Sequence, residues 1–171
     1  FVFVGVLFTG YVILDGFDLG VGVLHLFVAK KDEERRVFIN AIGPVWDGNE
    51  VWLVTGGGAL FAAFPDVYAT AFSGFYLALM LLLAALIFRA VAIEFRSKQP
   101  MRWWRQMWDI GFAGGSILSA LLIGVALGNI AWGVPIDANG EFAGTFLGLL
   151  TPYPLLGGVT TVALFMMHGA I

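Results

Sequence analysis

Three apolar stretches, residues 1–29, 68–93 and 108–132, each exceed the about 20 residues that a helix needs to cross a bilayer. A further one occupies 155–171. They are long runs rather than ten-residue alternations, so the pattern predicts membrane-spanning helices and not a barrel. Composition closes off the other classes. Only 12% of the 171 residues are charged, against about 25% in a soluble domain. A 60% hydrophobic content excludes an intrinsically disordered chain. The formal net charge of -3 excludes a nucleic-acid partner, which needs a basic face. With no cysteine, the chain has no disulfide, thiolate zinc site, iron–sulfur ligand or covalent haem attachment.

Charge placement sets the topology. All nine basic residues fall in 30–36 and 89–105, and the positive-inside rule puts both segments in the cytoplasm. Returning to the same side requires an even number of crossings between Arg36 and Arg89, and the length allows two. A second span is therefore expected over about 37–64, with Phe64, Pro65 and Asp66 as its outer turn. It carries Asn40, Asp47, Asn49 and Glu50, so it must be surrounded by protein or line a hydrated cavity. The loop holding Pro135, Asp137 and Glu141 has no basic residue and falls outside, as does the N-terminal end. The expected architecture is an all-α, polytopic transmembrane helical bundle over 1–171, with four complete spans and a truncated fifth. Both ends lie inside apolar stretches and read as cut. The pairs Gly16/Gly20, Gly111/Gly115, Gly124/Gly128 and Gly144/Gly148, and the triplet at 56–58, are candidates for close helix packing. No internal repeat is apparent.

The residues that carry chemistry are acids within these spans. Asp15 and Asp18 precede Lys30 by 15 and 12 residues, roughly 18–22 Å along a helix and near mid-bilayer. Asp47 follows Arg36 by 11 residues, about 16 Å along the next helix if Pro44 only kinks it. Asp18 and Asp47 are thus expected at similar depth on adjacent antiparallel helices. Asp15, Asp18, Gly22 and His25 share an arc of about 80° on the first span. Asp47, Glu50, Val54 and Gly57 do likewise on the second. A charge at mid-membrane costs about 2.5–3.5 kcal/mol, so four acids need a purpose. One is a proton route of carboxyls that hold or share protons; the other is a packing device of neutral acids bonded to neighbouring helices.

The remaining candidates read more plainly. His25 is expected at the interface beside the basic cluster. His168 with Met166 and Met167 fits core packing better than haem ligation, which needs partners on facing helices. Trp103, Trp104 and Trp108 with Arg102 and Arg105 form an aromatic belt. Trp46 and Trp52 pack around the acids. Arg89 is expected to snorkel to the interface, with Glu94 as its partner.

Several motifs resemble subunit II of the cytochrome bd quinol oxidases. They are LDGFDLGVG at 14–22, PVWDGNEVWL at 44–53 and GGALFAAFP at 57–65, followed in order by FSGFY at 72–76, FRSK at 95–98, WD at 108–109 and GVALGN at 124–129. Subunits of that family have about twice this length and eight spans, so the chain is similar to the N-terminal half of one. The resemblance implies a terminal oxidase of the bacterial or archaeal cytoplasmic membrane that reduces O2 to water with quinol electrons. It takes protons from the cytoplasm and releases quinol protons outside, without pumping. It also implies that haem b, haem d and the quinol site belong to the partner, subunit I, and that this subunit holds no haem or metal itself. Further expected partners are the lipid bilayer and small accessory subunits. Carried over, Asp47 of WDGN and Asp15 and Asp18 of DGFD lie on a proton route, and Trp52 stands by a candidate oxygen passage. Two readings outside this role are a proton-coupled secondary transporter, which also places acids at the midplane, and a structural subunit whose acids only fix helix register.

Overall fold

The computed structural model describes all of Phe1–Ile171, and the chain is helical almost throughout. In order, the elements are α1 (Val2–Leu24), α2 (Asp32–Ile42), α3 (Trp46–Ala63), α4 (Pro65–Gly74), α5 (Tyr76–Phe95), a short 3-10 turn (Arg96–Lys98), α6 (Arg102–Trp132), a second 3-10 turn (Leu147–Leu149) and α7 (Pro152–Gly169). Three helical segments, Val2–Leu24, Tyr76–Lys98 and Arg102–Trp132, are long and apolar enough to cross a membrane. α1 packs against α3, α6 and α7, while α5 and α7 flank α6.

Each boundary has a local cause. At the start of α2 the Glu34 carboxylate accepts the backbone N–H groups of Lys30 and Lys31, at 2.7 and 3.0 Å. Those amides, Lys31's foremost, hold its pKa below the usual glutamate value. Asp32, Glu33 and Glu34 also fill the first turn, where the helix dipole favours negative charge. The apolar face of α2 buries Ile39 and Ile42 in a cluster with Val21, Ala92 and Phe112. Pro44 then removes a backbone donor and clashes with the preceding turn, and the helix ends at Ile42 and restarts at Trp46. The expected second span is therefore two helices rather than one kinked helix. The stretch read as 68–93 is likewise divided, into α4 and α5, with Pro65 at the first position of α4. α6 begins at Arg102, earlier than expected, and puts all three belt tryptophans on the helix; it stops at Gly133, whose φ of 103° suits only glycine.

Close helix contacts follow three of the glycine pairs; in one, a Cβ on Gly115 would fall 2.6 Å from the Ala85 carbonyl oxygen, which sets α6 against α5. A Cβ on Gly20 would fall 1.8 Å from the Phe165 carbonyl oxygen, so α1 and α7 touch backbone to backbone. One on Gly124 would fall 2.7 Å from the Gly157 carbonyl oxygen, and one on Gly128 as close to the Pro154 Cα, which seats α7 on α6. Gly144 and Gly148 lie outside the α-helices and are not a packing pair. In the triplet, only Gly56 meets a neighbour, the Phe8 ring.

Candidate functional site

Two polar clusters are built into the bundle, and the buried face of α1 runs between them. The inner cluster centres on Arg89 of α5, which is fully buried. Its Nη2 donates to Asp15 Oδ1 of α1 at 3.0 Å, and its Nη1 to Glu50 Oε1 of α3. One guanidinium thus ties three helices together through two carboxylates, with one charge-assisted bond to each. One turn along α1, Asp18 is also fully buried and accepts from Asn49 Nδ2 of α3 at 2.8 Å. Arg89 therefore does not snorkel, and Glu94 is not its partner. Its long side chain turns inward because a buried and a half-buried carboxylate need a cation more than it needs water.

The second cluster lies at the end of the bundle where the basic residues gather. Its hub is Asp109 of α6, 1% exposed. Oδ1 meets His25 Nε2 at 2.6 Å and Arg96 Nε at 2.5 Å, and Oδ2 accepts Arg35 Nη1 at 2.8 Å and Arg96 Nη2 at 3.2 Å. Asp32 extends the network, taking Arg96 Nη2 and Arg105 Nη1 at 2.8 Å each. Asp109 so joins the ends of α1, α2, α5 and α6. His25, expected beside the basic cluster, does lie against it through Asp109 and is wholly buried in protein, its ring edge-on to Phe112 at 5.1 Å.

Of the acids singled out in the sequence, Asp15, Asp18 and Glu50 converge, whereas Asp47 does not join them. It follows the helix break, in the first turn of α3, and its side chain is exposed with no ion pair. Asn49, two residues on, is level with Asp18, so Asp47 sits only about 3 Å from that depth along the axis. Trp52 is half-buried. Its ring lies over Gly10, where a Cβ would approach within 2.5 Å, and it closes one side of an open apolar groove of about 440 Å³ lined also by Val6, Thr9 and Ile13. His168 hydrogen-bonds the Ile13 carbonyl at 2.9 Å and packs edge-on to Phe17. Arg89, Asn49, Asp109 and the buried His25 were missed as site residues. A signal was available for three of them: Arg89 and Asp109 are charges inside apolar runs, and His25 stands seven residues from Asp18 on one helix face.

Comparison with known proteins bears on this arrangement. The family model described as cytochrome bd terminal oxidase subunit II matches residues 1–171. The chain is 52% identical over 171 residues to the cytochrome bd-I ubiquinol oxidase subunit 2 of Escherichia coli strain K12, covering 98% of this chain and 45% of that protein. It is 49% identical over 173 residues to a probable cytochrome oxidase subunit 2 of Haemophilus influenzae, covering 99% and 46%. With the cytochrome bd ubiquinol oxidase subunit 2 of Bacillus subtilis it shares 45% over 169 residues, covering 99% and 50%. The chain spans about half the length of the curated relatives it matches.

Proposed function

Because the chain belongs to the cytochrome bd terminal oxidase subunit II family, we propose that it forms part of a membrane quinol:O2 oxidase, completes a heterodimer with a haem-bearing subunit I, and lends that partner a proton route. The observation that carries the route is the inner cluster: three buried or half-buried carboxyls, Asp15, Asp18 and Glu50, against the single cation Arg89. One guanidinium cannot neutralise three carboxylates, and isolated buried charge is expensive. The surplus carboxyls are the cluster's capacity to hold protons in the interior of the bundle.

In this reading α1, the broken α2–α3 pair, α4 with α5, and α6 are four crossings, and α7 begins a fifth. The protein sits in the bacterial or archaeal cytoplasmic membrane with its N-terminal end outside and the Asp109 network at the cytoplasmic face. Reduction of O2 to water consumes protons, and haem b and haem d of subunit I supply the electron chemistry. This chain's own residues do not fit a haem: His25 gives Nε2 to Asp109, and His168 gives Nε2 to the Ile13 carbonyl. Its part is to hold and pass protons, and Asp47, on the outward side of α3, is where the route meets the partner. The groove beside Trp52 is apolar and suits passage of O2.

The test uses the full-length subunit in its complex with subunit I. Asp15→Asn and Glu50→Gln are expected to slow quinol-driven O2 uptake by about tenfold or more while the haem spectrum stays intact. Unchanged uptake in both variants would remove the route.

A further inference from the structure

An open groove of about 310 Å³ runs along the seam between α5 and α6. Leu81 and Phe88 of α5 and Ile110 and Leu118 of α6 line it, and Gly111 and Gly114 give it depth. No atom of another residue stands within 4 Å of where a Cβ on Gly114 would be, so the protein leaves that space open. The groove lies on the outside of the bundle. Trp103, Met107, Ile110, Gly114 and Leu118 follow at steps of four, three, four and four, all exposed, on the face of α6 opposite Asp109 and Ser116. On α5, Leu81, Phe88 and Phe95 repeat every seven residues and are exposed as well.

Chemistry decides what fills it. The open side of α3 presents Asp47 and Thr55, polar groups that hydrocarbon does not accept. The groove has no such group. Between Leu81 and Phe88 every residue is apolar, and between Ile110 and Leu118 the one polar side chain, Ser116, is buried and bonds to the Phe112 carbonyl. Its mouth is different. The two exposed stripes end at Phe95 and Trp103, on either side of the link that joins α5 to α6, and Lys98 and Arg102 stand in that link or at its edge. Arg89, Arg96 and Arg105 are all held in ion pairs, whereas Lys98 and Arg102 are exposed and have none. Glu94, one turn before Lys98, is exposed too, and the two cations outweigh it. Trp104 Nε1 donates to the Phe95 carbonyl at 2.9 Å, which fastens the start of α6 to the end of α5.

We propose that this seam is a binding site for one anionic phospholipid, with an acyl chain in the groove and the phosphate between Lys98 and Arg102. An apolar channel that opens at two unpaired cations is complementary to a molecule with a hydrocarbon tail and an anionic head. The guanidinium of Arg102 suits phosphate oxygens, and Trp103, 60% exposed, belongs at headgroup level. The length agrees. Trp103 to Leu118 is a rise of about 22 Å, and one leaflet with its headgroups measures about 20–22 Å. By the positive-inside rule the leaflet is the cytoplasmic one, where anionic lipid attracts basic residues. The site goes beyond the oxidase reading and does not depend on the proton route.

The experiment is native mass spectrometry of the full-length subunit in its complex, delipidated and then titrated with dioleoyl phosphatidylglycerol or dioleoyl phosphatidylcholine. Lipid binding is the readout, so its failure and that of the proton route are told apart. The wild type is expected to bind one phosphatidylglycerol more tightly than phosphatidylcholine. Each cation near an anionic headgroup strengthens binding about fivefold, so Lys98→Gln with Arg102→Gln should weaken phosphatidylglycerol about 25-fold and remove the preference. Gly114→Leu places a side chain in the open groove and should weaken both lipids. Lys30→Gln with Arg36→Gln takes the same charge from exposed residues of the other basic segment and should leave the preference intact. Inorganic phosphate at the lipid's concentration should not displace it; displacement would mean a free-anion site. A wild type without headgroup preference, or a preference that survives the Lys98 and Arg102 changes, would overturn the proposal. So would loss of subunit I from Gly114→Leu, because the groove would then be filled by protein. Should that variant fail to fold, the two charge pairs decide alone: equal losses from both would mean general attraction to the basic face and no site at this seam.

Discussion

Arg89 stabilises the bundle only as long as its carboxylates are there, and they need it equally. Removing one partner of a buried ion pair leaves an uncompensated charge and typically costs about 3–5 kcal/mol, whereas replacing both with neutral groups costs far less. Arg89→Gln is therefore expected to lower the thermal stability of the assembled complex sharply. The double variant Arg89→Gln with Asp15→Asn should recover part of the loss, since Arg89 Nη2 and Asp15 Oδ1 are 3.0 Å apart and the pair is fully buried. Thermal unfolding of the wild type, both singles and the double closes the cycle; additive losses would mean that the two residues do not act as a pair. Asn49 illustrates why such partners were harder to read than the acids. An amide in a polar helix has many places to go, and only the antiparallel register of α1 and α3 brings its Nδ2 to Asp18.

Among the elements, the glycines differ in what a Cβ would meet: neighbouring backbone at some, open space at others. Gly20 faces the Phe165 carbonyl and the Gly169 amide of α7, so Gly20→Ala must force α1 and α7 apart. Overpacking of this kind costs about 1–3 kcal/mol. Gly57 has nothing within 4 Å of its missing Cβ, and Gly57→Ala should leave stability nearly unchanged or raise it slightly. Comparative melting of the two variants in the assembled complex checks the contrast, and equal effects would dissolve it. The apolar runs themselves were legible because a helix in lipid needs length and hydrophobicity and little else. The breaks were not. Pro44 in a helix interior is compatible with either a kink or a stop, and the choice was made by α2, whose Ile39 and Ile42 are buried against Val21, Ala92 and Phe112 of other segments. Such long-range packing leaves no mark in the local sequence. The partner of His25 was hidden for the same reason: its distance from the basic segment is visible, but Asp109, 84 positions away, is not.

For the whole molecule, charge placement gives the two clusters an expected sidedness. Every basic residue lies in 30–36 or 89–105, and the fold draws Arg35, Arg96 and Arg105 from those segments into one network around Asp109 and Asp32. The loop on the far side of α6 has the acids Asp137 and Glu141 and no cation. If the positive-inside rule governs the insertion, the network faces the cytoplasm. A chain without cysteine is suited to a direct test. Lys31→Cys, next to the network but outside its ion pairs, and Asn139→Cys, in the acidic loop, introduce single thiols at exposed positions. A membrane-impermeant maleimide is expected to label Asn139→Cys from the outside of intact spheroplasts, and Lys31→Cys only in inside-out vesicles. The opposite pattern would invert the orientation and place the Asp109 end on the outer face. Labelling of both thiols from one side would require an odd number of crossings between them to be abandoned, and with it α6 as the single crossing between the basic network and the acidic loop.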